Sequence, residues 1–471
     1  MMRNKLLIIF IVIFLGGCTM IPKYKRPQSP IPSSWPSGPA YKEPGPGVPK
    51  ANDLKWEEFL TDEQLKKIIH MALKNNRDLR LASLNMQRAW AFYGIQRAEL
   101  LPTFDMIGRG SKERIPSDLS ETGRRMTRER YSFDLGILSW EIDFFGRVRS
   151  LTDKALEEYL ATEEARRSAE ISLLSAVANT YLSLAADKEI LKLSRSTLET
   201  QESVYKLIKR RYEVGLASVL DIHRAQTQVE VARGDVARYT KLVAEGENTL
   251  NLMVGTQVPG ELLPSEFSHI SPPKEISSGV TSDILLNRPD ILAAEHQLKA
   301  LNANIGAARA AFFPRISLMT TLGTASSELS GLFKSGSGAW SFIPQIITPI
   351  FDARTWRALK AVKVEREIAL TQYEKAIQTA FKEVADALAQ RGTIGEQILA
   401  QESLVQALKE TYRLAYLRYI KGIDSYLSVL DSQRSLYAAE QGLIALRLAE
   451  LTNLVTLYKV LGGGDRVNGS Q

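Results

Sequence analysis

The sequence predicts an internally duplicated α+β membrane protein, with β-hairpins for an outer-membrane barrel joined to very long coiled-coil helices. Three observations carry this. The chain repeats itself: at a shift of 212 residues Asp78, Gly94, Arg97, Ala98 and Pro102 fall on Asp290, Gly306, Arg309, Ala310 and Pro314. At a shift of 207, Arg211, Tyr212, Gly215, Ser218, Leu220, Gln226 and Gly255 fall on Arg418, Tyr419, Gly422, Ser425, Leu427, Gln433 and Gly462. Second, residues 147–214 contain neither Gly nor Pro. Third, a short alternating stretch precedes each long helical region. A duplication of this length limits the architecture to two similar halves. Because 212 exceeds 207 by five, the segment between Pro102 and Gly146 is five residues longer in the first copy, most simply as a longer loop.

The N-terminus reads as an address and an anchor. Arg3 and Lys5 precede an apolar run, Leu6 to Leu15, too short to span a bilayer and suited to a secretory signal over residues 1–17. It ends in Leu15-Gly16-Gly17-Cys18, which resembles a bacterial lipobox, so Cys18 is the expected lipidation site. With Thr19 after the cysteine, the sorting pattern routes the product to the outer membrane. Cys18 is the sole cysteine, which excludes an internal disulfide. Nine prolines between Thr19 and Lys50 exclude helix and central strand there. Residues 18–60 therefore read as an extended, lipidated tether.

The first repeat opens with short helices over 61–101. Thr61 is the expected N-cap of the first, and the second runs from about Arg77 to Leu100, stopping before Pro102. The period then changes to two over 102–146, the first hairpin segment: Phe104 and Met106, then Tyr131, Phe133, Leu135 and Ile137. From Leu138 the apolar parity switches to Leu138, Trp140, Ile142 and Phe144, which implies a bulge or a change of environment. The second copy repeats the design over 314–352, with its last strand expected from Trp340 to Phe351. Four strands are too few to close a barrel, so their edges must pair with other chains; three copies supply twelve strands.

Helical hairpins follow over 147–255 and 353–461. A continuous helix from Arg147 to Val214 would be roughly 100 Å long and is too charged to sit in lipid. Its partner carries a heptad seam, Ile222, Ala225, Val229, Ala232, Val236, Tyr239, Val243, Gly246, Leu250 and Met253. The second copy keeps Val429, Ser432, Leu436, Ala439, Leu443 and Leu446, then drifts at Glu450 and Asn453. Gly215 and Gly422 supply the turns between paired helices, and Ser218 or Ser425 can cap the returning helix. An inter-repeat linker spans 256–285, a single helix 286–313, and a C-terminal tail 462–471.

Composition narrows the function classes. The net charge of +7 comes from 60 basic and 53 acidic residues that are interspersed, which argues for a solvated surface and against nucleic acid. His70, His223, His269 and His296 lack metal-ligand spacing. There is no phosphate loop and no nucleophile elbow, so neither an enzyme nor a cofactor is expected beyond the covalent lipid on Cys18.

The chain resembles the TolC-type outer-membrane efflux proteins, in particular their NodT-type (OprM-like) lipoprotein branch. The pieces that carry the resemblance are Thr281 to Ile291 (with Asn287-Arg288-Pro289-Asp290), Tyr24-Lys25-Arg26-Pro27, Glu141 to Arg147, Phe313 to Leu318, and Pro349 to Asp352. The resemblance implies a homotrimer with a 12-stranded outer-membrane barrel continued by a 12-helix periplasmic tunnel. It implies the passive exit duct of a tripartite efflux pump for drugs or other toxic compounds. Its partners would be a periplasmic adaptor (membrane fusion) protein and an inner-membrane transporter of the RND or ABC type. The turns at Gly215, Leu216 and Ala217 and at Gly422, Ile423 and Asp424 match the tips that receive the adaptor. Asp221 matches a gate acid and Tyr419 the tyrosine it bonds. Asp431 matches one ring of pore acids. Ser428 stands where the archetype has the other ring acid, and Asp424 where it has a gate arginine, so the latch must differ and Arg224 or Arg418 is available for it. Other readings are a channel for metal-ion efflux or type I protein secretion, or a coiled-coil lipoprotein scaffold without a pore.

Overall fold

The computed structural model describes residues 19–42, 47–267, 270–279 and 281–463. The signal peptide, Cys18, His269 and residues 464–471 of the tail lie outside them. The elements are α1 (Trp56–Phe59), α2 (Glu63–Asn75), α3 (Arg77–Ala98), β1 (Asp105–Ile115), β2 (Met126–Ile142), α4 (Arg147–Glu213) and α5 (Val219–Val254). They continue with α6 (Pro289–Ala310), β3 (Arg315–Ser326), β4 (Gly338–Ile347), α7 (Ala353–Ile420) and α8 (Tyr426–Val460). The order helix, two strands, two long helices thus occurs twice. The long helices are unbroken because nothing in them interrupts the i→i−4 ladder until the glycine turns. The chain divides into two compact units.

One unit comprises residues 19–28, Leu84–Glu163 and Ala293–Glu374. It holds an antiparallel sheet in the order β1-β2-β3-β4. Met106, Leu135, Leu322 and Trp340 align across all four strands. They share one face and are 66, 52, 70 and 78% exposed. A row of this kind is apolar where a water-facing sheet is polar.

The parity switch in β2 is a bulge: pairing to β3 shifts register between Ile137 and Trp140. Two residues, Leu138 and Ser139, are accommodated against Met319. Trp140 therefore stays aligned with Leu318, on the same face as Leu322, although the sequence alternation has flipped. Just above the bulge β2 and β3 approach closely. A Cβ on Gly136 would lie 2.1 Å from the Thr320 carbonyl oxygen, so only glycine fits.

Two expectations change here. The five-residue difference is not a longer loop, because the loops at 116–125 and 327–337 are nearly equal. It lies in the strands, 17 residues for β2 against 10 for β4. β4 also stops at Ile347 and does not reach Phe351; Pro349 follows two residues later and cannot donate to a ladder.

The quoted sequence pieces around Glu141 and Phe313 meet at the root of this sheet. Glu141 accepts two hydrogen bonds from Arg147, both 2.8 Å, and pairs with Arg315 at 3.2 Å. Phe145 stacks on Phe313 with centroids 4.9 Å apart.

The other unit comprises Ser29–Ser83, Glu164–Leu292 and Lys375–Gln471 as far as they are described. α2 buries Leu65, Ile68, Ile69 and Ala72, and Phe59 stacks on Tyr458 at 4.3 Å. The N-cap of α2 is Asp62, whose carboxylate accepts from the Leu65 amide at 2.9 Å. Thr61, the expected cap, instead donates to the Pro272 carbonyl at 2.8 Å, a distant partner that local pattern does not reveal. The α5 seam is realised: Ala225, Val229, Ala232, Tyr239 and Leu250 are buried, and Gly246 lets α5 close on Leu184 of α4. The expected drift at Asn453 is a polar seam position rather than a departure from the seam. Asn453 is buried and donates to the Ala387 carbonyl at 3.1 Å, while Gln401 donates to the Ala439 carbonyl at 2.8 Å, both tying α7 to α8.

Arg288 is the polar hub of this unit. It is buried, donates to the Val460 carbonyl at 2.8 Å, and pairs with Asp290 and Glu383 at 2.8 and 2.9 Å. It thereby caps the C-terminal carbonyls of α8. Both carboxylates are partly exposed, so water compensates them in part when the arginine is lost. Arg288→Met is expected to cost about 1–3 kcal/mol, chiefly from the orphaned helix-end carbonyl. Chemical denaturation followed by helical circular dichroism measures this, and the midpoint should fall.

Candidate functional site

The predicted tip residues fall on two turns, one ending α4 and one ending α7. Each helix closes with a left-handed glycine, Gly215 at φ +80° and Gly422 at φ +74°. At the first turn Leu216 N–H bonds Arg211 O at 2.7 Å and Gly215 N–H bonds Tyr212 O at 2.9 Å. At the second, Ile423 N–H bonds Arg418 O at 2.9 Å and Gly422 N–H bonds Tyr419 O at 3.0 Å. These are paired Schellman closures, and any side chain at the glycine would strain them. They leave Leu216 and Ile423 exposed at the apex, 68 and 58%, with Val214, Leu220 and Leu427 exposed beside them.

The two turns differ in how the next helix is started. Ser218 caps α5 in a full capping box: its hydroxyl accepts from the Asp221 amide, and Asp221 accepts in return from the Ser218 amide and hydroxyl at 3.1 and 2.8 Å. Ser425 occupies the N-cap of α8 without a side-chain bond. The second turn is braced instead by Arg418, which donates to Asp424 twice, at 2.6 and 3.1 Å. This hydrogen-bonded guanidinium holds the Asp424 carboxyl below the usual carboxylate range. The brace is therefore complete at neutral pH and is lost only as pH falls through that lowered value. Arg224 stands 3.9 Å from Asp221. Both arginines named from the sequence thus sit beside acids, Arg418 in the tighter geometry.

Tyr419 is buried at the junction of all four long helices, with Val204, Ile208, Ala225, Tyr426, Val429 and Leu430. The Arg211 guanidinium lies 4.8 Å above its ring and the Tyr426 ring is 5.4 Å away. Burial raises the Tyr419 phenol; Arg211 opposes that shift and Asp221 adds to it. The structure places Asp221 near Tyr419 but does not join them by a hydrogen bond within the protomer, since the Asp221 carboxylate is engaged with Ser218. Ser428 and Asp431 lie three residues apart on one exposed face of α8. Asp431 borders a cavity of about 690 Å³ between α4, α5 and α8, with Gln201, Asp235, Gln433 and Arg434.

Sequence reasoning missed Tyr426 and its neighbours. Tyr412, Tyr416 and Tyr419 form an aromatic stripe at helical spacing on α7, a signal present in the sequence, and Tyr426 joins them from α8 beyond the turn.

A sheet with an outward apolar row, carried with paired helical hairpins that end in exposed turns, defines an outer-membrane efflux channel protein. Residues 68–256 and 280–463 each match the family described as "Outer membrane efflux protein". The chain is 48% identical over 465 residues, 98% of its length, to the antibiotic efflux pump outer membrane protein ArpC of Pseudomonas putida, covering 96% of that protein. It has the same identity and coverage to the toluene efflux pump outer membrane protein TtgC of Pseudomonas putida. Among solved structures it resembles the open state of the Neisseria gonorrhoeae MtrE outer membrane channel, with a TM-score of 0.85, 36% identity, and 95 and 98% of the two chains covered. The chain belongs to the outer membrane efflux protein family, a transport family, and its place is the outer membrane.

The Tyr426 hydroxyl is buried without a hydrogen-bond partner among the described residues, while its ring fills the tip core. Tyr426→Phe should therefore be neutral or slightly stabilising. Tyr426→Ala should loosen the tip by about 3–5 kcal/mol, as for other large aromatic deletions. Trypsin cleavage after Arg418 and Lys421 reads this: unchanged in the phenylalanine variant, much faster in the alanine variant.

Proposed function

We propose that the protein is the outer-membrane exit duct of a tripartite efflux pump, built as a homotrimer, and that its substrates are small toxic compounds. The carrying observation is the four-stranded sheet whose one face is an exposed apolar row and whose outer strands, β1 and β4, have unpaired edges. In hydrocarbon every backbone donor and acceptor must be satisfied, so the edges have to meet other copies. Three copies give twelve strands, and the duplicated helical hairpins give twelve long helices continuing the barrel into the periplasm. Relatives named for antibiotic and toluene efflux support the substrate class.

The exposed Leu216 and Ile423 apices and the neighbouring Ala217 and Asp424 are the surface offered to a periplasmic adaptor. The adaptor in turn couples the duct to an inner-membrane transporter of the RND or ABC type. Cys18 carries the lipid, and no other cofactor is required. Transport through the duct is passive, driven by the inner-membrane partner.

The periplasmic tip is the gate. Asp221 and Tyr419 hold it closed, Asp431 and Ser428 line the narrow part, and the Arg418–Asp424 brace keeps the second turn in its closed form. A phenol-to-carboxylate bond formed between neighbouring copies, since one chain alone does not make it, contributes roughly 1.5–3 kcal/mol. Three copies then bias the gate by several kcal/mol, enough for about a hundredfold population shift or more.

Reconstitution in planar bilayers tests this reading. The wild type should run as a heat-labile trimer and form low-conductance channels. Asp221→Ala combined with Tyr419→Phe should raise single-channel conductance several-fold. Unchanged conductance removes these two residues from the gate, and absence of both trimer and conductance removes the duct.

A further inference from the structure

The Tyr24-Lys25-Arg26-Pro27 stretch has no part in a duct or a gate, yet Tyr24 and Arg26 both bond one buried acid of α6. Glu295 of α6 has a side chain only 3% exposed. It accepts from Arg26 twice, Nε at 3.0 Å and Nη2 at 2.5 Å, and from the Tyr24 hydroxyl at 3.1 Å; Lys299 stands 3.5 Å away. Burial alone would raise this carboxyl, but Arg26, Lys299 and Tyr24 outweigh it and the net shift is downward.

The contacts continue along the same helix face. Asn302 donates to the Pro22 carbonyl at 2.8 Å, and Arg309 donates to the Met20 carbonyl at 3.3 Å. Between them Gly306 makes room: a Cβ there would lie 2.6 Å from Ile21 Cγ1 and from Ser150 Oγ. Positions 295, 299, 302, 306 and 309 follow three- and four-residue steps, a single stripe of α6. The segment Met20–Arg26 therefore runs antiparallel to α6, with its earliest residues at the helix's C-terminal end, six residues before β3 begins at Arg315.

The first copy lacks this arrangement. Shifting by 212 puts Ser83, Gln87 and Trp90 where the second copy has Glu295, Lys299 and Asn302. Gly94, the counterpart of Gly306, faces open space, and Trp90 is exposed. The duplicated helix has kept its glycine and lost or never gained the polar ties, which marks the stripe on α6 as a specialised seat.

We propose that Tyr24, Arg26 and Glu295 form a latch that seats the N-terminal segment on α6, so that the chain leaves the body at Thr19 beside the root of β3. Glu295 is then a positioning residue for the membrane anchor. With Cys18 lipidated, as proposed above, a single residue separates the acyl-bearing cysteine from the first tie. The anchor is registered to the body instead of trailing on a slack tether.

Trypsin treatment of detergent-permeabilised outer membranes carrying the full protein tests the latch. Cleavage after Lys23 or Lys25 requires the segment to lift from α6 into the protease cleft. The wild type should be cut there at least tenfold more slowly than Glu295→Ala. Arg26→Gln leaves α6 intact and should be cut as fast as Glu295→Ala, while Glu295→Gln, which keeps an acceptor, should lie between. Equal cleavage rates in wild type and both latch variants would overturn the latch. Mass analysis of the released N-terminal peptide separates the two readings. A peptide without lipid mass defeats the Cys18 reading and leaves the cleavage comparison to decide the latch.

Discussion

The sheet's unsatisfied edges constrain everything else in this protein. A strand pair in water can leave its outer N–H and C=O groups to solvent, but one in hydrocarbon cannot. β1 and β4 bound a sheet whose outward row, Met106, Leu135, Leu322 and Trp340, is apolar in every strand. The close fit of β2 on β3 at Gly136 joins the two hairpins of one chain into a single building block. The bulge keeps Trp140 on the face of Leu318 and Leu322 after the alternation slips.

The helical part obeys a different rule. Its seams are apolar enough to pack and polar enough at chosen points to fix register. The turns at Gly215 and Gly422 share one backbone solution, yet the first is stabilised from the following helix through Ser218 and Asp221, and the second across the turn through Arg418 and Asp424. The brace between two exposed side chains gains little net energy in water, whereas a capping box is bound into the helix it starts. The second turn is thus the more easily remodelled of the two.

Much of this was legible in the sequence because it rests on local pattern. Glycine turns, the helix limits around Arg147 and Pro102, the heptad seam of α5 and the parity switch in β2 all arise from residues a few positions apart. What was not legible depends on residues distant in the chain. Thr61 was passed over as a cap because its hydroxyl meets Pro272, and the role of Arg26 was hidden because its acid lies 269 residues away. Asn453 looked like the end of a seam because a polar residue in an apolar stripe reads as drift unless its backbone partner is known. The Tyr419 cluster was half seen: the residue was named, but its neighbour Tyr426 lies beyond the turn, where a search confined to one helix does not look.

The ties from Gln401 to Ala439 and from Asn453 to Ala387 have a mechanical consequence. Each pins a side chain of one helix to a backbone carbonyl of the other, so sliding α8 along α7 breaks both at once. Axial creep is blocked, while bending beyond the last pin is not. From Gln401 to the turn at Gly422, roughly 30 Å, no further side-chain-to-carbonyl pin joins the pair, which is held there by the apolar core around Tyr419 and the Lys409–Glu440 ion pair. The hairpin end therefore behaves as a cantilever with a fixed root. Its deflection is governed by the stiffness of two helices and the length beyond the pin, so a change at Gln401 would alter the compliance of the tip without touching any residue in it.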